Sequence, residues 1–396
     1  MNGDILLDET DRLLMIYFGF SVLYLFLFAL FAKFKRTIPY PYSSKQSRIM
    51  VLIPAFREDR VIEDAVKSVL MQDYPSELLT VMVISDQMEE ATNQRLEKLP
   101  VHVVHANYTN SSKAKALQLA IQCNNDHSYA MVVILDADNH VGSDFLVQIN
   151  QAYQSGVQAM QCHRTAKNKD TDIALLDAVS EEMNNTYFRK GHSAVGLSAA
   201  LSGSGMAFDY TWFCENISQL SSSGEDKELE ILLLRQHIFI DYLDHVLVCD
   251  EKVQTKNSFS TQRRRWLAAQ YGALGKALKD LPSAIVEWNL SYLDKIVQWL
   301  MPPRLLMLLF ICFWTSISAI FFRTHALKWG ALLFLLIVTF ALAIPKELDN
   351  KKLDRALRKI PLLSLIMIIN LFHLKGMNKQ FQSTQHGDTP DSKQQP

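Results

Sequence analysis

The sequence predicts an α/β protein whose soluble domain is inserted between transmembrane helices, with amphipathic helices at the membrane interface. Long uncharged apolar runs occur near both ends of the 396-residue chain, and runs of about 20 residues are long enough to span a bilayer. Between them, short β-branched segments alternate with segments of helical periodicity. This alternation is typical of a sheet with parallel crossover connections.

Composition excludes some classes of protein. With 49% apolar residues and a formal net charge of −1, the chain lacks the basic excess of a nucleic-acid-binding protein, so no nucleic acid partner is expected. The cysteines have no metal-ligand spacing, which predicts reduced thiols in a cytosolic domain. They are Cys123, Cys162, Cys214, Cys249 and Cys312.

Three apolar runs, residues 13–32, 305–322 and 329–345, predict membrane spans. Acidic residues precede the first run, so we interpret it as an anchor and not as a cleaved signal peptide. Basic residues follow it within 33–36. By the positive-inside rule, these place the soluble domain on the cytoplasmic side of the cell membrane, in contact with membrane lipids.

A fourth apolar run, residues 360–374, is short for a span and contains Asn370 and His373, so we interpret it as an interfacial helix. The polar composition of residues 384–396 predicts a disordered tail. The predicted organisation is an N-terminal anchor (1–36), a cytoplasmic α/β domain (37–260), amphipathic interface helices (261–300), two transmembrane helices (301–346), and a basic loop with an interfacial helix and flexible tail (347–396).

The first half of the soluble domain has the pattern strand, helix, strand, strand, helix, strand. Strands are predicted at 49–53, 79–85, 101–105 and 131–135, and helices at 58–72 and 113–122. Because parallel strands end at the same edge of a sheet, the residues that follow them are expected on one rim, where ligands bind in open α/β sheets. These residues are Pro54, Asp86, Asp136 and Asp138.

Asp136 and Asp138 directly follow a buried strand. Two carboxylates at a strand end suit a hard divalent cation that holds a diphosphate. The same Asp-Ala-Asp-Asn segment is also good turn chemistry, so a polar strand-to-turn cap is the alternative.

The second half continues with a helix at 145–153, a strand at 157–163 and an amphipathic helix at 171–189. In the segment 201–208, Gly203 and Gly205 permit either a close approach of the backbone to a ligand or a bulged strand. Both interpretations stay open from the residues alone.

Residues 223–230 predict a helix start with several acids in its first turn. The helix dipole favours such acids, so their role is structural in one interpretation. In the other, Asp226 is a carboxylate held at a helix N-terminus and suited to take a proton from a bound hydroxyl.

The segment Gln262-Arg263-Arg264-Arg265-Trp266 opens an amphipathic helix to about residue 279. It predicts either a cationic helix at the membrane surface or a guanidinium for a phosphate beside an aromatic platform for a sugar. Residues 283–300 have the same interfacial character, so the domain is expected to lie against the bilayer.

Together, Asp86, the Asp136–Asp138 pair, Glu225-Asp226 and Gln262 to Trp266 resemble the motifs of the membrane-bound family 2 glycosyltransferases, in order and spacing. This family includes cellulose, chitin, hyaluronan and poly-N-acetylglucosamine synthases. The resemblance covers residues 50–267. It implies a GT-A fold, a UDP-sugar donor, Mg²⁺ or Mn²⁺, and inversion at the anomeric carbon.

The resemblance also implies a role for each residue. Asp226 corresponds to the general base, and Asp138 corresponds to the metal ligand. Two residues depart from the family pattern: Gly224 replaces the usual threonine of the base motif, and Ser112 replaces the usual glycine before Lys113. The second departure leaves Lys115 as an alternative to Lys113 for the position near the diphosphate. The donor side comprises Pro54, Ala55, Glu58, Asp86, Lys113, Asp136 and Arg265. The acceptor side comprises Gly203, Ser204, Gln262 and Trp266. Residues 381–386 stand where some members carry a gating loop.

The predicted function is inverting transfer from a UDP-sugar to a growing polysaccharide. An alternative is the non-processive addition of one sugar to a lipid, because three predicted spans make only a narrow channel for a polymer. If the product is a polymer, we expect a partner membrane subunit that completes the channel. A third interpretation is a catalytically dead, membrane-tethered binding protein, against which the retained acidic residues argue.

Overall fold

In a computed structural model, residues 2–37, 39–321, 323–348 and 351–372 are described. Within these ranges, eight strands form one mixed sheet. The strands are β1 (Ile49–Phe56), β2 (Leu79–Asp86), β3 (His102–Ala106), β4 (Met131–Ile134), β5 (His140–Val141), β6 (Ala159–Ala166), β7 (Met206–Asp209) and β8 (Ile240–Asp250).

The helices of the described ranges are numbered in chain order. The N-terminal half contains α1 (Asn2–Phe34), α2 (Ile62–Leu70), α3 (Glu90–Leu96), α4 (Lys113–Cys123), α5 (Phe145–Gln154), α6 (Asp172–Asn184), α7 (His192–Ala194) and α8 (Tyr210–Asn216). The C-terminal half contains α9 (Glu225–Arg235), α10 (Lys256–Ala277), α11 (Leu281–Val286), α12 (Leu290–Leu300), α13 (Arg304–Phe321), α14 (Arg323–Ala343), α15 (Lys351–Leu357) and α16 (Ile360–Phe372).

The strand order is β3-β2-β1-β4-β7-β6-β8-β5. The first four strands in this order are parallel, which confirms the predicted crossovers and brings their carboxyl ends to one rim. The sheet is then extended by β7, which is antiparallel to both β4 and β6. Because apolar residues cover both faces of the sheet, its central strands β1 and β4 are almost entirely buried, whereas the edge strand β3 is partly exposed.

The sequence pattern did not predict β8 or α3. Strand β8 carries Asp241, Asp244 and His245, so its composition does not resemble that of a buried strand. The structure gives these acids partners: Asp241 accepts a hydrogen bond from Tyr40, and Asp244 forms an ion pair with Lys190 at 2.9 Å. Helix α3 has only seven residues, too few for a clear periodicity.

Three helices of the described ranges are long and apolar enough to cross a membrane, at 8–34, 304–321 and 323–343. They correspond to the three predicted spans. Their contact faces share one apolar core with α6, which includes the fully buried Trp329. Near the N-terminal end of α1, Asp11 is buried and accepts hydrogen bonds from Trp314, Trp329 and Lys328, which ties α1 to α13 and α14.

The predicted helix at 171–189 is interrupted. It ends at Asn184 and continues as a π-helical turn, Asn185–Gly191, which packs on α1. A Cβ atom on Gly191 would lie 2.3 Å from the backbone oxygen of Phe28, so only glycine permits this contact. Sequence periodicity could not show the change, because it depends on a helix that lies far away in the chain.

Helix α10 packs on α9 and α16, and α12 packs on α9, α10 and α11. The 13 residues of α16 extend about 20 Å, less than the roughly 30 Å of a bilayer core. Asn370 of α16 donates to the backbone oxygen of Ser260 in α10 at 3.0 Å. The interfacial placement of 360–374 remains a prediction, since residues 373–374, like the 381–386 segment, lie outside the described residues.

Candidate active site

One cavity of about 530 Å³ lies at the rim of the sheet. Asp86, Asp138, Asp226 and Arg265, which are far apart in the chain, all line it. Most other predicted site residues line it too, namely Pro54, Ala55, Glu58, Lys113, Asp136, Gly203, Gln262 and Trp266. The strand ends supply one wall of the cavity, and α9 and α10 supply the opposite wall.

At one end of the cavity, β1 and β2 finish side by side, with Phe56 in register with Asp86. The carboxylate of Asp86 is 3% exposed, and burial raises its pKa. The hydroxyl of Ser111 lies beside this carboxylate, and its hydrogen bond opposes the effect of burial on the pKa. This corner therefore offers a buried carboxylate and a hydroxyl to a polar ligand.

Lys113 lies at the centre of the cavity. Its Nζ atom forms an ion pair with Asp136 and donates to the backbone oxygen of Gly203 at 2.6 Å. The carboxylate of Glu225 is 3.7 Å from the same Nζ atom. Burial alone would lower the pKa of Lys113, but the carboxylates of Asp136 and Glu225 outweigh it and raise the pKa. Lys113 therefore stays charged at the strand ends.

The two candidate lysines of α4 point in different directions. Ser112 is the N-cap of α4, and its hydroxyl accepts a hydrogen bond from the backbone N–H of Lys115 at 3.2 Å. The Lys115 ammonium donates to the backbone oxygen of Asn110 at 2.7 Å, and Lys115 is not among the residues that line the cavity. The serine at position 112 thus replaces glycine without displacing Lys113.

Asp138 is 7% exposed and lines the cavity. Its Oδ2 atom accepts the backbone N–H of Glu251 at 2.9 Å, and Oδ1 accepts the side-chain amide of Asn139 at 3.1 Å. These bonds hold the carboxylate in one orientation. A carboxylate oxygen can accept more than one bond, so Asp138 suits a cation in addition to these contacts.

The described residues contain no group of three His, Cys, Asp or Glu side chains arranged to hold a metal. Mg²⁺ in nucleotide-dependent enzymes is usually bound by one or two carboxylates together with substrate phosphates. Asp136 and Asp138 line the cavity on the same turn, and this donor set fits a cation that is completed by a diphosphate.

The N-terminus of α9 brings Glu225 and Asp226 to the cavity. Glu225 is buried, and this burial, opposed by Lys113 and reinforced by Asp226, raises its pKa to about 7. Asp226 is more exposed and lies 3.6 Å from the ammonium of Lys227. The two neighbouring acids therefore occupy different environments, and Asp226 is the one that is accessible to a bound ligand.

Gly224, which precedes these acids, permits the close approach of α9 to α10. A Cβ atom at this position would lie 2.8 Å from the Cβ atom of Ala269. Real Cβ atoms do not approach this closely, so a threonine here would push the two helices apart. The glycine is therefore matched to Ala269.

Helix α10 presents Gln262, Arg263, Arg265 and Trp266 to the cavity. The Oε1 atom of Gln262 is buried without a hydrogen-bond partner. Arg263 pairs with Asp177 of α6 and stacks over the ring of Trp266 at 4.4 Å. This stacking holds the indole in place beside the cavity.

Gly203 and Ser204 occupy different positions. Gly203 has a positive φ of 81° and lines the cavity. Ser204 is fully buried and lies behind the wall of the cavity, where its hydroxyl accepts the backbone N–H of Asp136 at 2.9 Å. This placement suits Ser204 to orienting Asp136 and does not suit the predicted contact with an acceptor.

The structure adds site residues that sequence reasoning missed. Arg164 of β6 lines the cavity, donates to the backbone oxygen of Ser202 and forms an ion pair with Asp250. The hydroxyl oxygens of Ser202 and Ser223 are buried without partners in the cavity wall. Arg164 could have been found as a charged residue at the end of a predicted strand. Nothing in the sequence marks Ser202 or Ser223 as site residues.

Residues 47–269 match the family model described as "Glycosyltransferase like family 2". The match covers more than half of the chain, so the protein belongs to this family. It is a glycosyltransferase of the nucleotide-sugar-dependent type. The finer assignment to polysaccharide synthases is not part of this result.

Among solved structures, the fold is similar to that of the mannosyltransferase PcManGT from Pyrobaculum calidifontis, determined with GDP-Man and Mn²⁺. The TM-score is 0.55 at 18% identity, covering 83% of this chain and 97% of that chain. This likeness confirms the predicted GT-A fold.

Two further structures resemble the chain at lower scores. S. aureus TarS 1–349 has a TM-score of 0.44 at 14% identity, covering 83% of this chain and 90% of that chain. Glucosyl-3-phosphoglycerate synthase from Mycobacterium tuberculosis, solved with Mn²⁺, UDP and phosphoglyceric acid, has 0.42 at 16% identity, covering 57% and 78%.

Proposed function

We propose that this protein transfers a sugar, with inversion, from a UDP-sugar to a hydroxyl group of a growing polysaccharide at the cytoplasmic face of the cell membrane. The observation that carries the proposal is the convergence of Asp86, Lys113, Asp138 and Asp226 on one cavity. Strand-end groups suited to a nucleoside diphosphate thus face a carboxylate suited to deprotonate an acceptor.

The unsatisfied polar atoms of the cavity support a polyhydroxylated ligand. Three such atoms are Ser202 Oγ, Ser223 Oγ and Gln262 Oε1, which lie on the walls that α9, α10 and the glycine segment supply. Leaving a buried polar group unpaired costs about 1–3 kcal/mol. Hydroxyl groups of a ribose and of a sugar would satisfy these atoms.

The proposed mechanism is a direct displacement. Asp226 takes the proton of the acceptor hydroxyl, whose oxygen attacks the anomeric carbon on the face opposite the diphosphate. The bond from this carbon to the diphosphate oxygen breaks, and UDP leaves with the bonding electrons. Lys113 and Arg265 offset the charge that develops on UDP, and Trp266 stacks on the acceptor sugar.

The cofactor we propose is Mg²⁺ or Mn²⁺, held by Asp138, with Asp136 on the nucleotide side. When bound, such a cation neutralises charge on the departing diphosphate. The similar P. calidifontis enzyme was determined with Mn²⁺. Asp136 meanwhile keeps Lys113 directed at the same diphosphate through their ion pair.

A second candidate acceptor is a lipid. Beyond the sheet rim, the cavity continues between membrane-spanning helices, where aliphatic side chains such as Leu305 and Leu308 line it. Such walls suit a hydrocarbon chain better than a hydrated polymer. A polysaccharide product would require more channel surface than three candidate spans provide, which favours a partner membrane subunit in that case.

The test is a UDP-release assay on the full-length protein in detergent, with a panel of UDP-sugars and GDP-mannose, followed by mass analysis of the product. We expect release with a UDP-sugar and a divalent cation, and loss of release in EDTA. The mass of the product distinguishes a polymer from a glycolipid. Absence of turnover, with UDP affinity unchanged by Mn²⁺, would support a binding protein instead.

For the general base, we expect Asp226→Asn to lower transfer by roughly 10²–10⁴-fold while leaving the affinity for UDP with Mn²⁺ nearly unchanged. The matched control is Asp64→Asn, the same change at an exposed position of α2, which should leave both measurements unchanged. An equal loss of UDP binding and transfer in Asp226→Asn would reject the assignment.

A further inference from the structure

The cavity has a second part that the proposed donor site does not use. We call it the aliphatic arm and define it by Leu305, Leu308, Ile344, Leu363 and Met367, all of which line the cavity. Leu305 and Leu308 belong to α13, Leu363 and Met367 belong to α16, and Ile344 directly follows α14. The arm therefore lies among the membrane-spanning helices and is continuous with the site that holds Asp226.

Arg304 lies where the aliphatic arm meets the rest of the cavity, at the beginning of α13. Its Nη2 atom donates to Asn184 Oδ1 at 2.7 Å and to the backbone and hydroxyl oxygens of Ser180 at 3.1 and 3.2 Å. All three acceptors are uncharged. Its Nη1 atom is buried and has no hydrogen-bond partner.

The other arginines near Arg304 have acidic partners. Arg263 pairs with Asp177, and Arg189 pairs with Glu181 at 2.8 Å. No ion pair to Arg304 occurs within the described ranges 2–37, 39–321, 323–348 and 351–372. Its guanidinium lies 5.4 Å from the ring centre of Tyr187, a cation–π contact that leaves the Nη1 donors without an acceptor.

An enclosed guanidinium with only neutral partners is unfavourable, because burial removes the hydration of the charge. A phosphate would satisfy it, since a guanidinium binds phosphate through paired N–H donors. A free phosphate would leave the adjoining aliphatic walls exposed to water. A lipid phosphate satisfies both surfaces at once.

We propose that the acceptor is a phosphate-bearing lipid, with its phosphate at Arg304, its hydrocarbon chain in the aliphatic arm and its hydroxyl-bearing headgroup directed towards Asp226. This inference rests on the proposed transfer from a UDP-sugar, and it favours the second candidate acceptor, a lipid, over the growing polysaccharide. The phosphate serves for recognition here, and the attacking atom remains a hydroxyl oxygen.

The test measures ligand binding directly, without turnover. Farnesyl phosphate, farnesol and inorganic phosphate are titrated separately into the full-length protein in detergent, and UDP with Mn²⁺ is titrated in parallel. We expect farnesyl phosphate to bind at least tenfold more tightly than farnesol and than inorganic phosphate. Equal affinity for farnesol, or for inorganic phosphate, would overturn the proposal.

Variants assign the binding to the two surfaces. Arg304→Gln should lower the affinity for farnesyl phosphate at least tenfold, and Arg304→Lys should retain part of the affinity that Arg304→Gln loses. Arg323→Gln, at the exposed beginning of α14, is the matched control and should change nothing. Unchanged affinity in Arg304→Gln would overturn the phosphate site.

Met367→Trp fills the aliphatic arm without changing charge, and it decides the matter where Arg304→Gln does not fold. It should lower the affinity for farnesyl phosphate while the affinity for UDP stays constant. Full affinity for farnesyl phosphate would show that the aliphatic arm does not bind the hydrocarbon chain. If the wild-type protein does not bind UDP, the proposed function itself is rejected, and this outcome is distinct from failure of the lipid proposal. Undiminished transfer by Met367→Trp to a soluble oligosaccharide, with no binding of farnesyl phosphate, would identify a polymer acceptor.

Discussion

Lys113 is the residue that connects the two walls of the cavity. It reaches Asp136 at a strand end and Glu225 at the beginning of α9. The position of Lys113 follows from its place after the N-cap Ser112, so a local capping pattern could predict it. The pairing with Glu225 could not be predicted, because the two residues are more than a hundred positions apart in the chain.

The raised pKa of Glu225 makes the stability of the protein depend on pH. Between pH 4.5 and about 7, an unfolded glutamate ionises while the buried one keeps its proton, so unfolding releases a proton and stability falls as pH rises. Above about pH 7 the loss is complete. We expect Glu225→Gln to gain stability relative to the wild type across this window, by roughly 3 kcal/mol for a pKa that is raised from 4.5 to about 7.

Thermal unfolding of the detergent-solubilised protein at pH 4.5, 6 and 8 measures this gain. Glu215→Gln, at an exposed position of α8, is the matched control and should track the wild type at every pH. A constant difference between Glu225→Gln and wild type would contradict the assignment of the raised pKa to Glu225.

At the scale of elements, the contact between α9 and α10 sets the geometry of the proposed base. We expect Gly224→Thr to lower stability by about 1–3 kcal/mol, the usual range for overpacking, and to lower transfer because Asp226 moves with α9. Combination with Ala269→Gly should recover part of both losses, since it removes the Cβ atom that Gly224 faces.

The double-mutant cycle of these two changes, measured by thermal unfolding and UDP release, checks this prediction. Additive effects, with no recovery in the combined variant, would show that the Gly224–Ala269 contact does not hold the two helices together.

The packing of α1 on the π-helical turn depends on one glycine. Gly191→Ala would place a Cβ atom against the backbone oxygen of Phe28, and backbone cannot move aside as a side chain can. We expect a loss of several degrees in the melting temperature. The matched control is Gly275→Ala in α10, where no atom lies within 4 Å of the added Cβ and alanine is expected to be neutral or slightly stabilising. Equal melting temperatures of the two variants would contradict this account.

For the whole molecule, the cavity is formed jointly by the sheet domain and the candidate membrane-spanning helices. Residues of β1, α9, α10, α13, α14 and α16 all line it. Cutting the sheet domain from the helices would therefore remove part of the cavity wall. In the proposed function, a donor from water and an acceptor from the membrane would meet at this site.

The exposed Cys123 offers a test of the predicted orientation. In intact cells, a membrane-impermeant maleimide should leave Cys123 unlabelled, and permeabilisation should allow labelling, because the sheet domain is predicted on the cytoplasmic side. In a Cys123→Ser background, Thr324→Cys, exposed at the beginning of α14, should be labelled without permeabilisation. The reverse pattern would invert the predicted topology.

Local patterns were sufficient for the features that depend on short stretches of sequence. The spans, the four parallel strands and their rim of acids follow from hydropathy, β-branched runs and the residues that end each run. Strand β8 was not predictable in this way, because its acids are acceptable in a sheet only where Tyr40 and Lys190 supply partners.

The sequence alone thus established the parallel part of the sheet, the three candidate spans and the acids at the strand ends, since each is encoded in neighbouring residues, while the GT-A type followed from the family resemblance. Only the tertiary structure decided that Lys113 and not Lys115 faces the cavity, that Ser204 lies behind its wall, and that Arg304 meets an aliphatic arm. These features depend on which distant side chains come into contact, and contacts of that kind arise only when the sheet and the membrane helices pack together.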